Sequence, residues 1–323
     1  MPRVERLEVP LRGPIPAAAS AVIAEAARIL RGGGLVAFPT ETVYGLGARA
    51  ADPRALARVF EAKGRPAHHP LIAHVESESQ ARDMAASWPE RASRLATAFW
   101  PGPLTLVVER APRVPAAIAG GGDSIAVRAP SHPVARALIA ALEEPIAAPS
   151  ANLYTGLSPT TAAHVIKQLG DAVDLVIDGG ACDAGIESTV VDVRGETPWI
   201  LRPGAVSLAA LRAIVPEIRA GAREAMGPDQ QRPSPGMDAR HYAPHAPLRL
   251  VPTRDEACRV AREMAAGGAL IGLIVRGEGP AGAERAGVIV HALADEPTEF
   301  ARALYATLHA LDDAGVLAIV VHA

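Results

Sequence analysis

Cysteine is almost missing from this sequence: Cys182 and Cys258 are the only two in 323 residues, and they lie far apart. Two thiols cannot form a four-thiolate zinc site, and they fit the buried thiols of a reducing compartment. Long apolar runs are missing too. No stretch approaches the roughly 20 residues of a membrane span. Charges and prolines break up Met1–Pro16, where a signal peptide needs an unbroken apolar core. The expectation is a cytoplasmic chain with no membrane part. Charge of one sign is not in excess either, since the net charge is −3 and no Lys/Arg run occurs. A chain whose main task is holding nucleic acid or an anionic membrane selects a basic surface, so neither task is expected to be primary. There is no Walker A loop, and no Gly-x-Gly-x-x-Gly follows a strand and opens a helix. Any nucleotide must be held by another arrangement. Gly32–Gly34 precedes a strand, and ending a helix is its simplest use.

What is present has a globular composition, with 49% hydrophobic, 21% charged and only 3% aromatic residues. A chain of 323 residues exceeds one ordinary core and suits two domains. Over residues 1–215, periodicity predicts helices at Ala17–Arg31, Pro53–Ala62, His132–Leu142 and Thr160–Leu169. Strands are predicted at Leu35–Phe38, Leu71–Val75, Leu104–Glu109, Ser124–Val127, Ile146–Ala148, Leu175–Ile177 and Thr189–Val193. Short strands with helices on some crossovers predict an α/β fold with a mixed sheet. Residues 216–247 read as a linker that reaches back to a site, because a plain spacer has no need for Arg240, His241, Tyr242 and His245. From 248 to 323 the pattern restarts: strand Leu248–Val251, helix Arg254–Ala266, strands Ala269–Val275 and Gly287–His291, helix Glu296–Asp313, strand Val316–Val321. That order predicts a smaller, Rossmann-like α/β domain.

Chemistry-bearing residues recur at predicted strand ends. Pro39–Gly47, PTETVYGLG, places hydroxyls directly after an apolar strand, where α/β folds put ligands. Gly45 and Gly47 there allow a tight turn or a close approach. In Lys63–His74, KGRPAHHPLIAH, an extended backbone would aim Lys63 and Arg65 to one side, as an anion clamp or as a plain solvated pair. No carboxylate or thiolate at ligand spacing accompanies His68, His69 and His74. Arg128 ends a strand in SIAVRAPSHP, which calls for either a salt bridge or a ligand carboxylate. Ser150, Asn152 and Ser158 sit in APSANLYTGLSPT, where Ser158–Pro159 fits a helix N-terminus. Ser188 and Arg202 lie at further strand edges.

In order and spacing, PTETVYGLG, KGRP with PLIAH, FWPGPLTLVV (Phe99–Val108), AVRAP, APSANLYTGLSPT, ESTVVDV and LRPG resemble the YrdC-like family. With the second α/β segment and HYAPHAPL, the chain is similar to the longer, two-domain threonylcarbamoyl-AMP synthases. The resemblance implies a twisted sheet with a concave, positively charged cavity in the first domain. Thr42, His74, Arg128, Ser188 and the backbone at Ala148 are implied around L-threonine. Arg65, His69, Ser124, Ser150, Ser158, Arg202 and Tyr242 are implied as ATP contacts, with Lys63 and Asn152 lining the same cavity. His69 departs from the usual KGRPxxNP; imidazole still donates a hydrogen bond, but its charge depends on pH. Ser124 stands for a commoner Thr and keeps the hydroxyl.

The implied reaction joins L-threonine, bicarbonate and ATP, accompanied by Mg2+, into threonylcarbamoyl-AMP and pyrophosphate. The product would feed a transferase that modifies tRNA next to the anticodon. Lys63 and Arg65 are the expected catalytic cations. No metal tightly ligated by the protein is expected, and without a base at recognisable spacing from Cys182 or the serines, no covalent enzyme intermediate is expected. Two other readings stay open at this point: a double-stranded RNA-binding module, and a threonine or nucleotide sensor without turnover.

Overall fold

A computed structural model describes residues 2–6, 17–221, 242–279 and 287–322. Arg240, His241 and most of the predicted linker lie outside the described residues.

The chain opens with β1 (Arg3–Arg6), α1 (Ala17–Arg31) and β2 (Val36–Phe38). Next come β3 (Gly45–Arg49), α2 (Pro53–Lys63), β4 (Ile72–His74), α3 (Glu78–Met84) and α4 (Glu90–Phe99). β5 (Leu104–Glu109), β6 (Ser124–Arg128), α5 (Pro133–Leu142), β7 (Ile146–Ala147) and α6 (Ala162–Leu169) follow. β8 (Leu175–Asp178), β9 (Thr189–Asp192), β10 (Trp199–Arg202) and α7 (Leu208–Ile214) complete the first unit. Its ten strands form one mixed sheet in the order β1-β8-β2-β3-β7-β4-β6-β5-β9-β10. The second unit contains β11 (Leu248–Val251), α8 (Arg254–Ala265), β12 (Ile271–Arg276), β13 (Val288–Leu293), α9 (Pro297–Asp313) and β14 (Ala318–His322). Its four strands are all parallel, ordered β11-β14-β12-β13. Ile271, Leu273 and Val275 pack with α8, whereas Ile274 packs with α9, so alternation along β12 covers both faces.

The same period of two organises the large sheet. Val36, Phe38, Ile146, Leu175 and Ile177 turn to the layer made by α1 and α5. Ala37, Ala147 and Val176, one residue out of phase, turn to the layer containing α2, α4 and α6. On the β4-β6-β5-β9 half this second layer continues under Ala73, Leu104, Leu106, Ile125, Val127 and Val191. Among the described residues the opposite face there carries only a small apolar floor of Ile72, Val107, Ala126 and Val190. By alternation His74, Thr105, Ser124, Arg128 and Ser188 share that face. The sheet therefore offers a polar surface where the α1–α5 layer ends.

Two sequence expectations change. Gly45 and Gly47 do not form a turn; they lie in β3, antiparallel to β2. Glycines weaken a strand signal, yet here the missing side chain of Gly47 makes room for the Phe38 ring and that of Gly45 for Ala148. A Cβ on Gly47 would sit 2.7 Å from Phe38 Cε1. Nor is 63–65 extended: Lys63 ends α2, and Gly64 caps it with φ 59°, in the left-handed region. α2 starts as predicted, with the Asp52 carboxylate accepting from Arg54 N at 2.9 Å ahead of Pro53. The helices α3, α4 and α7 and the strands β1 and β10 are additions to the sequence-based set.

Gly47→Ala is expected to lower the unfolding free energy by about 1–3 kcal/mol, the usual cost of overpacking a rigid site. Urea denaturation measures it, and an unchanged midpoint would contradict the packing described.

Candidate active site

β4 and β6 run parallel and in register, with His74 paired to Arg128, so both side chains emerge together at their carboxyl ends. Ala148 follows β7 beside them and donates its N–H to Ile72 O at 2.9 Å. Thr42 comes from the β2–β3 connection, where its hydroxyl lies 2.8 Å from that of Thr40 and accepts from Arg128 Nη1 at 2.9 Å. Ser188 precedes β9 and shares a 2.7 Å hydrogen bond with Thr105.

Arg202 reaches the same face through an irregularity. Ile200 pairs with Val191, but the register shifts and Arg202, not Leu201, stands opposite Val190. A bulge of this kind re-aims the side chain that follows it. Arg202 donates to Ser188 O at 2.9 Å and Ser188 Oγ at 3.0 Å, and its Nη1 donates to Tyr242 OH at 2.9 Å.

Thr42, His74, Arg128, Ala148, Ser188, Arg202 and Tyr242 line one open recess together with Arg65, Ser150 and Glu187. All five residues expected around threonine are on its wall: Thr42, His74, Arg128, Ala148 and Ser188. Of those expected around ATP, Arg65, Ser150, Arg202 and Tyr242 are present. Lys63, His69, Ser124, Asn152 and Ser158 are not on the lining. Lys63 lies behind it, its ammonium donating to Ser150 O at 2.6 Å and to Asn152 O, with Asn152 Oδ1 at 3.3 Å. Burial, reinforced by Arg65, pushes its pKa well below the lysine range. The surrounding carbonyl oxygens favour the charged form, and the contact ties α2 to the loop that carries Ser150 and Asn152. His69 packs edge-on to Tyr154 at 5.5 Å, and the Arg65 guanidinium sits 5.9 Å from the same ring. Ser124 is buried at the start of β6, opposite Glu109.

Ser158 departs from expectation. α6 is capped by Thr161, whose hydroxyl accepts from His164 N, so Ser158 is not at a helix N-terminus. It is buried, and its hydroxyl donates to Glu187 Oε1.

Sequence reasoning passed over two carboxylates. Glu41 is buried, and its Oε1 lies 2.7 Å from Arg128 Nη2. The angles there are not those of a hydrogen bond, so charge alone joins the pair. Glu187 faces the recess directly. Each acid immediately precedes a selected hydroxyl, Thr42 or Ser188. The usable signal was a carboxylate inside an otherwise neutral buried block, which requires a nearby cation or donor.

His74 is held neutral. Burial first, then the Arg128 charge, lower its pKa from 6.5 to about 3. Its Nδ1 has no hydrogen-bond partner among the described residues.

The fold and this face define an α/β protein whose mixed sheet carries a recess lined by three arginines. Residues 28–204 match the Sua5–YciO–YrdC family model, described as telomere recombination. Residues 206–323 match the threonylcarbamoyl-AMP synthase C-terminal domain. The chain is 44% identical to the threonylcarbamoyl-AMP synthase of Pyrococcus abyssi (strain GE5 / Orsay), over 90% of this chain and 85% of that protein. It is 40% identical to the enzyme of that name from Bacillus subtilis (strain 168), over 79% and 74% of the two chains. The crystal structure of P. abyssi Sua5 complexed with L-threonine has a TM-score of 0.89 at 40% identity, covering 99% of this chain and 92% of that one. E. coli YciO has a TM-score of 0.56 at 25% identity, covering 65% of this chain and all of its own. The chain belongs to the Sua5–YciO–YrdC family and carries the C-terminal domain of its threonylcarbamoyl-AMP synthases.

Because the native state keeps His74 neutral, the unfolded chain binds the extra proton between pH 6.5 and about 3. His74 thus stabilises the fold above pH 6.5, and that contribution is lost as pH falls. Stability is expected to drop by about 1.4 kcal/mol per pH unit below the free-imidazole value from this residue alone. Urea titrations at stepped pH should show a shallower decline in His74→Gln; equal slopes would contradict the assignment.

Proposed function

We propose that the chain is a threonylcarbamoyl-AMP synthase, converting L-threonine, bicarbonate and ATP into threonylcarbamoyl-AMP and pyrophosphate. The observation that carries this reading is the single recess in which Arg65, Arg128 and Arg202 converge with Thr42, His74 and Ser188.

The Arg128 end suits the amino acid. Its guanidinium receives the threonine carboxylate while Glu41 and Thr42 hold its orientation, and neutral His74 adds no second charge. The neutral threonine amine attacks the carbon of bicarbonate, forming a C–N bond and releasing water; where CO2 derived from bicarbonate is attacked instead, the new N–C bond forms with loss of one proton from the amine. An oxygen of the new carboxylate then attacks the α-phosphorus of ATP. The bond to the β-phosphate breaks, and pyrophosphate leaves.

Two anions must meet, and in water they repel. Arg65 and Arg202 offset that repulsion from fixed positions, which is where electrostatic preorganisation is most effective. Lys63 contributes through the Ser150 loop, and Tyr242 closes on the nucleotide side through Arg202. ATP enters with Mg2+ as the metal–nucleotide substrate. Threonylcarbamoyl-AMP is a mixed anhydride that water destroys, so a buried site protects it. A transferase acting on tRNA consumes it, and the reading places the enzyme in the cytoplasm.

Incubation with ATP, Mg2+, bicarbonate and labelled L-threonine should yield labelled adenylate and pyrophosphate in equal amounts. Arg65→Ala is expected to lower kcat/KM for ATP by about a hundredfold while leaving the melting temperature unchanged. No labelled adenylate from the parent protein would overturn the reading, and a parent-like Arg65→Ala would remove that side chain from the mechanism.

A further inference from the structure

We propose that α9 of the second unit completes the recess of the first, with Tyr305 as a positioning residue that acts through Glu187. The inference rests on the reading of the recess as a threonine and nucleotide site.

Glu187 is the acidic side chain on the wall of this recess among the described residues, and anions are expected there. A carboxylate free to swing toward a phosphate would oppose binding; one whose direction is fixed can orient the neighbouring cations instead. Both of its oxygens are held. Oε1 accepts from Ser158 Oγ in the first unit, and Oε2 accepts from Tyr305 OH at 2.9 Å from the second. Tyr305 is buried, and burial together with the Glu187 charge raises its pKa well above the phenol range, so it stays a donor.

One helical turn later, His309 Nε2 lies 3.1 Å from Ser158 O. Residues four apart share a helix face, so α9 holds the Ser158–Glu187 pair by both ends. Its apolar neighbours aim at the same loops. Tyr305 and Leu308 belong to a buried cluster with Val43 and Leu157, which adjoin Thr42 and Ser158. Arg302 Nε donates to Asp183 O at 2.7 Å, and a Cβ on Gly185 would sit 2.5 Å from Arg302 O, so helix and loop are in close contact. Packing alone needs no hydroxyl at position 305. A phenylalanine would fill the same space but leave the buried Glu187 Oε2 without this donor.

The test is Tyr305→Phe in the full chain, with kcat and KM measured for ATP and for threonine and with the melting temperature recorded. Losing a hydrogen bond to a charged acceptor should lower kcat/KM for ATP about tenfold. Melting should shift by no more than about 4 °C. In a Glu187→Gln background the same substitution should cost less than about twofold, because the two changes remove one interaction. A loss of equal size in both backgrounds, or parent-like kinetics for Tyr305→Phe in an active enzyme, overturns the proposal. His309→Asn provides a second arm should Tyr305→Phe not fold. It withdraws the donor from Ser158 O and should cost about threefold in kcat/KM for ATP, and no loss assigns α9 to packing only. A parent protein that makes no adenylate overturns the functional reading itself, whereas these outcomes in an active enzyme bear on Tyr305 alone.

Discussion

Buried guanidinium groups are the demand around which the first unit is arranged. Arg65, Arg128 and Arg202 are all nearly withdrawn from water on one recess. A cation in that position is tolerable only if fixed oxygen atoms or opposite charge replace its hydration. Arg202 has the Ser188 carbonyl and hydroxyl and the Tyr242 phenol. Arg128 has Thr42, Gly102 O and the Glu41 charge. Arg65 has Pro70 O and the Tyr154 ring. Each partner sits on a strand end or on a loop held by one, so the sheet must be formed for the cations to be stable.

That dependence explains the shape of the sheet. Half of one face is covered by α1 and α5 and is plainly apolar. The other half of that face carries four buried apolar residues as a floor and leaves the rest polar. Another helix there would have to bury His74, Ser124, Arg128 and Ser188 against apolar side chains; among the described residues no such layer covers them, and a recess is left. Lys63 shows the same logic behind the wall, where its ammonium joins helix α2 to the loop carrying Ser150.

The second unit is continuous with this network. α9 buries apolar residues against Val43 and Leu157, and its Tyr305 hydroxyl meets Glu187 on the recess wall. A two-lobed chain whose lobes share a hydrogen-bonded carboxylate does not treat the smaller lobe as an appendage. Rearrangement of α9 would take the Tyr305 donor from Glu187 Oε2 and leave the carboxylate to Ser158 alone.

By itself the sequence determined the ladder of elements and the residues able to bind anions. Strands Leu104–Glu109 and Leu248–Val251 and helix Ala17–Arg31 have the expected bounds, because apolar periodicity is a local property. Thr42, Arg128, Ser188 and Arg202 were legible for a related reason: polar residues at the ends of apolar runs stand out within a few positions, whereas Arg65 was marked by its spacing from Lys63. β3 was hidden because two glycines carry no pattern, and their use depends on neighbours outside the strand, Phe38 for Gly47 and Ala148 for Gly45. Tertiary structure alone decided that Ser158 faces Glu187 and does not cap a helix, and that Arg202 faces the recess. The first joins residues 29 apart and is contacted by Tyr305 and His309, more than a hundred residues away. The second depends on one shifted register between β9 and β10. Neither partner nor register is encoded in local periodicity, since both arise only when distant segments compete for the same face.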